Sequence, residues 1–257
     1  MRSSIPLLNI LFYLGLIAAN YFAVQMPFFG KTPGDVSDLY PNLLTPADFA
    51  FSIWSVVYIL LALFGYQNLK ARTNKKEKIP NEIKAIGWLF MLSCILNFAW
   101  LLVWQSQHIA WSFIIIFLLW INLILIYYRL SQIKNARWQY SIPFSVYLAW
   151  VCVAALANLN ILLIDSGFEF FGMEEAYWTA TLIGIGILGT YLVLSLSKDI
   201  WFTLVLIWAY FGMYVKNKAL EPEATAVTSM CLIAFACLIV GGSWAGIKKY
   251  YNTPKVV

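Results

Sequence analysis

Charge is what this chain has least of. Asp, Glu, Lys and Arg make up 11% of its 257 residues, where a soluble domain carries about 25%. Hydrophobic residues make up 62%, so there is too little polar material to coat a globule in water. Lipid must solvate most of the surface. Histidine occurs once, as His108, and cysteine four times, as Cys94, Cys152, Cys231 and Cys237. All four cysteines lie inside apolar runs and none forms a CxxC pair, which excludes a disulfide framework and points to inert, buried thiols. A single histidine without a thiolate cluster supplies no ligand set for a metal. The shortage reaches into the apolar runs, since no Asp, Glu, Lys or Arg lies well inside any of them. Pumps, proton-coupled carriers and voltage sensors place ionisable groups there, and acid–base catalysis needs a titratable pair within reach of substrate. Ion coupling and enzymatic activity are therefore disfavoured, and no cofactor is expected.

What the chain has in their place is apolar length. Runs of roughly the 20 residues that cross a hydrocarbon core lie near 5–27, 49–69, 85–106, 109–128, 140–164, 176–196, 200–215 and 224–247, the seventh being short. An isolated run in lipid must satisfy its own backbone, so each is expected to be a helix. The fold class expected is an all-α polytopic membrane protein of about eight spans. Arg2 and the small pair Ala18-Ala19 give the first run a likeness to a signal peptide, but it stays apolar beyond them and seven more runs follow. It reads as a retained first helix.

Placing the N-terminus inside gives a charge pattern. Of the 17 Lys and Arg, all but Lys31, Lys216 and Lys218 then fall in inner segments, as the positive-inside rule demands. The basic balance sets orientation, with both termini cytoplasmic, and no nucleic-acid partner is implied. An integral protein of a bacterial inner membrane is the expected localisation.

The chain is expected to divide into residues 1–164, a five-helix transmembrane domain, and 165–257, a three-helix extension. The acidic stretch "DSGFEFFGMEE" leads from one to the other. In the extension, Gly184, Gly186 and Gly189 formally match GxGxxG. That fingerprint binds dinucleotides only between a strand and a helix, so close helix packing is the reading here. Gly242 and Gly246 form a GxxxG of the same kind.

The positive signal is aromatic and repeats on three helices. The second run carries Phe51, Trp54 and Tyr58 at i, i+3 and i+7. The third carries Asn97, Trp100, Trp104 and His108, and the fifth Tyr147, Trp150, Ala154 and Asn158, both at i, i+3, i+7 and i+11. Such spacing keeps each set on one helix face. Trp104, near an outer end, suits an interfacial belt. Trp54 and Trp100 lie ~10 Å deep at the helical rise and suit a cleft between helices. Asn97 and Asn158 are costly facing lipid, so they are expected inward as interhelical glue or ligand donors.

Several of these segments are similar to the TspO/MBR family, the tryptophan-rich sensory proteins that include the mitochondrial translocator protein. The likeness rests on "YLAWVCVAALAN", on "LNFAW", on the W-x3-Y of "IWSVVY" and on the Trp100-to-His108 spacing. It covers residues ~1–164. The resemblance implies a five-helix bundle, often dimeric, whose long first loop lids a cavity for porphyrins and, in some members, for cholesterol or synthetic ligands. Trp54 and Trp150 look like the family's second- and fifth-helix tryptophans, Ala154 like the small residue beside the ligand, and Trp111 like a tryptophan that opens the fourth helix. The family's Pro-Pro-x-Trp-x-Phe is reduced here to Pro46 with Phe49 and Phe51 out of register. The Trp-Arg that follows the fifth-helix Asn is absent, and with it support for sterol binding.

Together these readings predict a membrane ligand-binding or sensor protein. Its expected partners are the bilayer, a flat hydrophobic small molecule such as a tetrapyrrole, and a second copy in a homodimer. The expected ligand-binding set is Phe51, Trp54, Tyr58, Asn97, Trp100, Trp111, Tyr147, Trp150, Ala154 and Asn158, with residues 28–48 as a lid and Lys31 or His108 meeting any acidic group. The competing reading is a small-molecule transporter or permease component that uses all eight helices without ion coupling.

Overall fold

The computed structural model describes residues 4–74 and 77–252, with side chains as far as residue 243. The inner charges Arg2, Lys75, Lys76, Lys248, Lys249 and Lys255, and Gly246 of the GxxxG, lie outside those limits. Among the described residues all regular secondary structure is helical. Its α-helices are α1 (Ile5–Gln25), α2 (Pro33–Asp38), α3 (Ile53–Thr73), α4 (Asn81–Ile86), α5 (Leu89–Gln105), α6 (Ile109–Ser131), α7 (Trp138–Asp165), α8 (Glu175–Ser197), α9 (Ile200–Lys218) and α10 (Thr225–Asn252). Short 3-10 turns lie at Asp48–Ser52 and Phe170–Gly172.

Eight of these helices replace the eight apolar runs, and six among the described residues are long and apolar enough to cross a membrane. The other two depart from the expectation for local reasons. The third run is interrupted at Gly87, which ends α4, so α5 keeps only 17 residues. The end of α9 is occupied by Lys216, Asn217 and Lys218, which dilute its hydropathy.

The helices form two compact units. The first comprises Met1–Pro41 and Ile53–Ser166. In it α1 packs on α3 and α5, α3 on α7, α7 on α6 and α6 on α5, so five long helices close a ring. Polar residues inside the apolar helices act as cross-links: buried Asn9 of α1 donates to the Asn68 side chain of α3 at 3.0 Å. The basic end of the ring is plugged by Phe64, Phe90 and Phe144, all fully buried, with centroids 4.8 and 5.2 Å apart about Phe64. There α4 is fastened to the start of α7. Arg137 reaches both Glu82 carboxylate oxygens at 3.1 Å, and its backbone N–H donates to the same group at 3.2 Å.

The second unit comprises Asn42–Ser52 and Gly167–Val257. Here α10 packs on both α8 and α9. An added Cβ on Gly186 would fall 2.5 Å from the Tyr210 hydroxyl, so the glycine makes room for α9. Tyr191 lies against Gly241, and its hydroxyl donates to the Cys237 carbonyl at 2.6 Å. Of the three glycines in the α8 motif, Gly186 is thus the one in close contact with a neighbouring helix.

Candidate ligand site

Within the five-helix ring the predicted stripes meet. Trp54 of α3 is the centre: Tyr58, Trp100, Tyr147 and Trp150 have ring centroids 5.6, 6.3, 6.1 and 6.3 Å from it. Tyr58 and Trp100 lie nearly parallel to it, at 18° and 30°, while Tyr147 and Trp150 stand edge-on. Trp104 stacks in turn on Trp100 at 6.1 Å and 18°. Tyr58, Trp54, Trp100 and Trp104 therefore make a ladder of four near-parallel rings, flanked by Tyr147 and Trp150. Pairs in these offset and edge-on geometries gain about 0.5–1.5 kcal/mol each beyond area burial. Tyr147 and Trp150 are 0% and 1% exposed, so the rings close on one another.

Two polar chains frame the ladder. In the first, the Tyr58 hydroxyl donates to the Asn20 carbonyl oxygen, the Asn20 amide to Asn97 at 3.0 Å, and the Asn97 amide to the Tyr147 hydroxyl at 3.3 Å. It joins α3, α1, α5 and α7. In the second, the Trp100 indole N–H and the Ser112 hydroxyl both donate to the Asn158 oxygen, at 3.3 and 3.1 Å. The Asn158 amide donates to the Ala154 carbonyl at 2.9 Å. Thus Asn97 and Asn158 point inward: Asn97 joins α1 and α7, while Asn158 accepts from α5 and α6 and donates within its own helix.

The Trp104 end of the ladder is tied to the long loop. The Trp104 indole donates to the Pro33 carbonyl at 3.0 Å, and the Gln105 amide to the carbonyls of Ala23 and Lys31 at 2.7 and 2.8 Å. The bonds to Pro33 and Lys31 hold α2, whose start is closed by a Thr32–Asp35 capping box. The Thr32 backbone and side-chain hydrogen bonds hold the Asp35 carboxyl below the usual range. The expected lid is divided, because from Asn42 onward the loop belongs to the second unit. His108 stands at the start of α6, exposed, its Nδ1 2.9 Å from the Ser106 hydroxyl.

Three assignments change on this geometry. Phe51 falls on the 3-10 turn that leads into α3 rather than on α3 itself, within the second unit. Trp111 is 61% exposed on α6 and stands outside the buried ladder. Trp104, placed in an interfacial belt by its position, is 3% exposed and forms the end of the ladder. One participant, Asn20, went unnoticed. Its signal was an amide in an otherwise apolar run, at a position where lipid exposure is costly.

Fold and site define a polytopic all-α membrane protein whose tryptophans and amides face one another between helices. A family model described as TSPO-like protein matches residues 6–244, and the chain belongs to that family. The match extends through α8 and α9 and most of α10, beyond the five helices that carry the TspO/MBR-like motifs. No curated protein and no solved structure matches the chain.

Proposed function

We propose that this protein is a membrane ligand-binding or sensor protein that holds a flat hydrophobic, tetrapyrrole-like molecule at the Trp54 cluster. The observation that carries the reading is the ladder Tyr58–Trp54–Trp100–Trp104, with Trp150 standing edge-on to it. A planar π-system matches the spacing and orientation such rings already adopt, so it exchanges ring–ring stacking for ring–ligand stacking at little cost. Because the rings are closed on each other, uptake requires them to part. The natural place is the outer end, where single hydrogen bonds from Trp104 and Gln105 hold the lid segment. Lys31 in that segment and His108 at the start of α6 are the groups that meet acidic substituents. The role proposed is binding without catalysis, in a bacterial inner membrane, with both termini cytoplasmic and a second copy as partner.

The test is porphyrin quenching of tryptophan emission by the purified protein in detergent. Trp54→Ala combined with Trp150→Ala is expected to abolish most of the saturable quenching while helicity is retained. Undiminished quenching by a folded double variant overturns the site assignment. Uptake by vesicles containing the protein, abolished by deleting 176–257, would instead favour the transporter reading.

A further inference from the structure

We propose that residues 42–52 are a releasable strap, and that α9 is the dock whose hold on it fixes the start of α3 and therefore Trp54. The strap's backbone is bonded largely by side chains of one helix. The Trp208 indole donates to the Ala50 carbonyl at 2.9 Å, the Lys216 ammonium to Thr45 at 3.1 Å and the Asn217 amide to Leu43 at 2.9 Å. The Ala47 N–H donates to the Gly212 carbonyl at 3.1 Å, and the Leu43 N–H to a Glu175 carboxylate oxygen of α8 at 2.8 Å. Trp208, Gly212 and Lys216 are four residues apart, so they lie along one face of α9.

Gly212 is the close-approach point. A Cβ there would lie 2.7 Å from the Ala50 methyl and 2.9 Å from Pro46 Cβ, so any side chain forces the strap or α9 to shift. Phe49 adds edge contacts to Trp208 and Phe211 at 5.5 and 5.7 Å. The strap also closes on itself, with Asn42 Oδ1 accepting from the N–H groups of Leu44 and Thr45 at 3.0 and 2.8 Å.

A segment held by separate side-chain bonds, outside any long helix, can open without global unfolding. Ser52 runs directly into Ile53, and Trp54 is the second residue of α3. Strap release therefore frees the turn that presents Trp54. The C-terminal helices acquire a role that the aromatic stripes did not provide: they anchor the mouth segment of the ligand-binding helix. The consequence for ligand uptake rests on the function proposed above, whereas the dock itself does not.

The experiment is hydrogen exchange by mass spectrometry on the full chain in nanodiscs, comparing the wild type with Gly212→Val. A second variant adds no bulk: Trp208→Phe with Asn217→Ala, which removes two of the bonds. Exchange across 42–52 is expected to rise about tenfold or more, as loss of one or two hydrogen bonds predicts. Exchange across 53–58 should rise with it, and that in α5–α7 should stay unchanged. The association rate of protoporphyrin IX, followed by quenching, is expected to change in the same variants. Unchanged strap exchange in both variants overturns the dock. Faster strap exchange without change at 53–58 overturns the coupling to α3, and an unchanged association rate overturns the link between strap release and ligand uptake. If the wild type binds no porphyrin, the ligand proposal fails and the exchange results alone decide this one.

Discussion

Asn20 of α1 and Asn97 of α5 share a 3.0 Å hydrogen bond in the middle of an apolar ring of helices. Each is bonded onward to a tyrosine, Asn20 accepting from Tyr58 and Asn97 donating to Tyr147. The pair is thus the hinge point of a chain that crosses four helices. Interhelical hydrogen bonds of this kind are worth about 0.6 kcal/mol on average, and up to ~1.7, in membrane proteins. Asn97→Ala and Asn20→Ala are both expected to destabilise, since the first leaves Asn20 and Tyr147, and the second Tyr58 and Asn97, without that partner. A double-mutant cycle on the pair, read from unfolding in mixed micelles, should give a coupling energy of about 0.6–1.7 kcal/mol. A coupling near zero means the two amides do not share the bond.

Much of this architecture was legible in the residues because lipid leaves so few options. Apolar runs must be helices, and amides and tryptophans within them must find one another. Asn97, Trp100, Tyr147 and Asn158 do so at their helical spacing. Phe51 differs because periodicity does not tell a 3-10 turn from the α-helix that follows it. The backbone bonds of Ala47 and Ala50 to α9 wind that stretch as a 3-10 turn. Trp111 misled differently: position near a helix start says nothing about which face a ring takes, and here it is exposed. The allegiance of 42–52 to the C-terminal unit had no local signal at all. It depends on Trp208, Gly212, Lys216 and Asn217, more than 150 residues away in the chain.

The glycines of α8 separate packing from nucleotide binding. Gly186 faces the Tyr210 hydroxyl, whereas Gly184 and Gly189 have nothing within 4 Å of an added Cβ. Gly186→Val should therefore cost about 1–3 kcal/mol as an overpacked contact. Gly189→Ala should be neutral or stabilise by up to about 1 kcal/mol, as alanine does in a helix interior. Thermal denaturation in detergent measures both. Equal destabilisation by the two substitutions contradicts the packing account, because it would mean that both positions are in close contact.

The fastening of α4 to α7 should be visible as a pH dependence of stability. Burial pushes the Glu82 carboxyl up, but the Arg137 side-chain and backbone hydrogen bonds pull it further down, and it rests below its ordinary value. Arg137 stays charged throughout the accessible range, and its guanidinium sits 4.9 Å over the Tyr140 ring. A carboxylate whose folded pKa is depressed contributes stability that is fully present above its unfolded value of about 4.3. That contribution is lost as pH falls through the lower folded value. Hydrogen bonds to charged groups are worth about 1.5–3 kcal/mol. With the Arg137 side chain half exposed, solvent screening reduces the pair to about 1–2 kcal/mol. Glu82→Gln should therefore lower the melting temperature by a constant amount between pH 6 and 8 and by progressively less below about pH 4.5. Melting curves of the two proteins across that range test it. A difference that persists undiminished at pH 3 would show that the contribution of Glu82 does not depend on its charge.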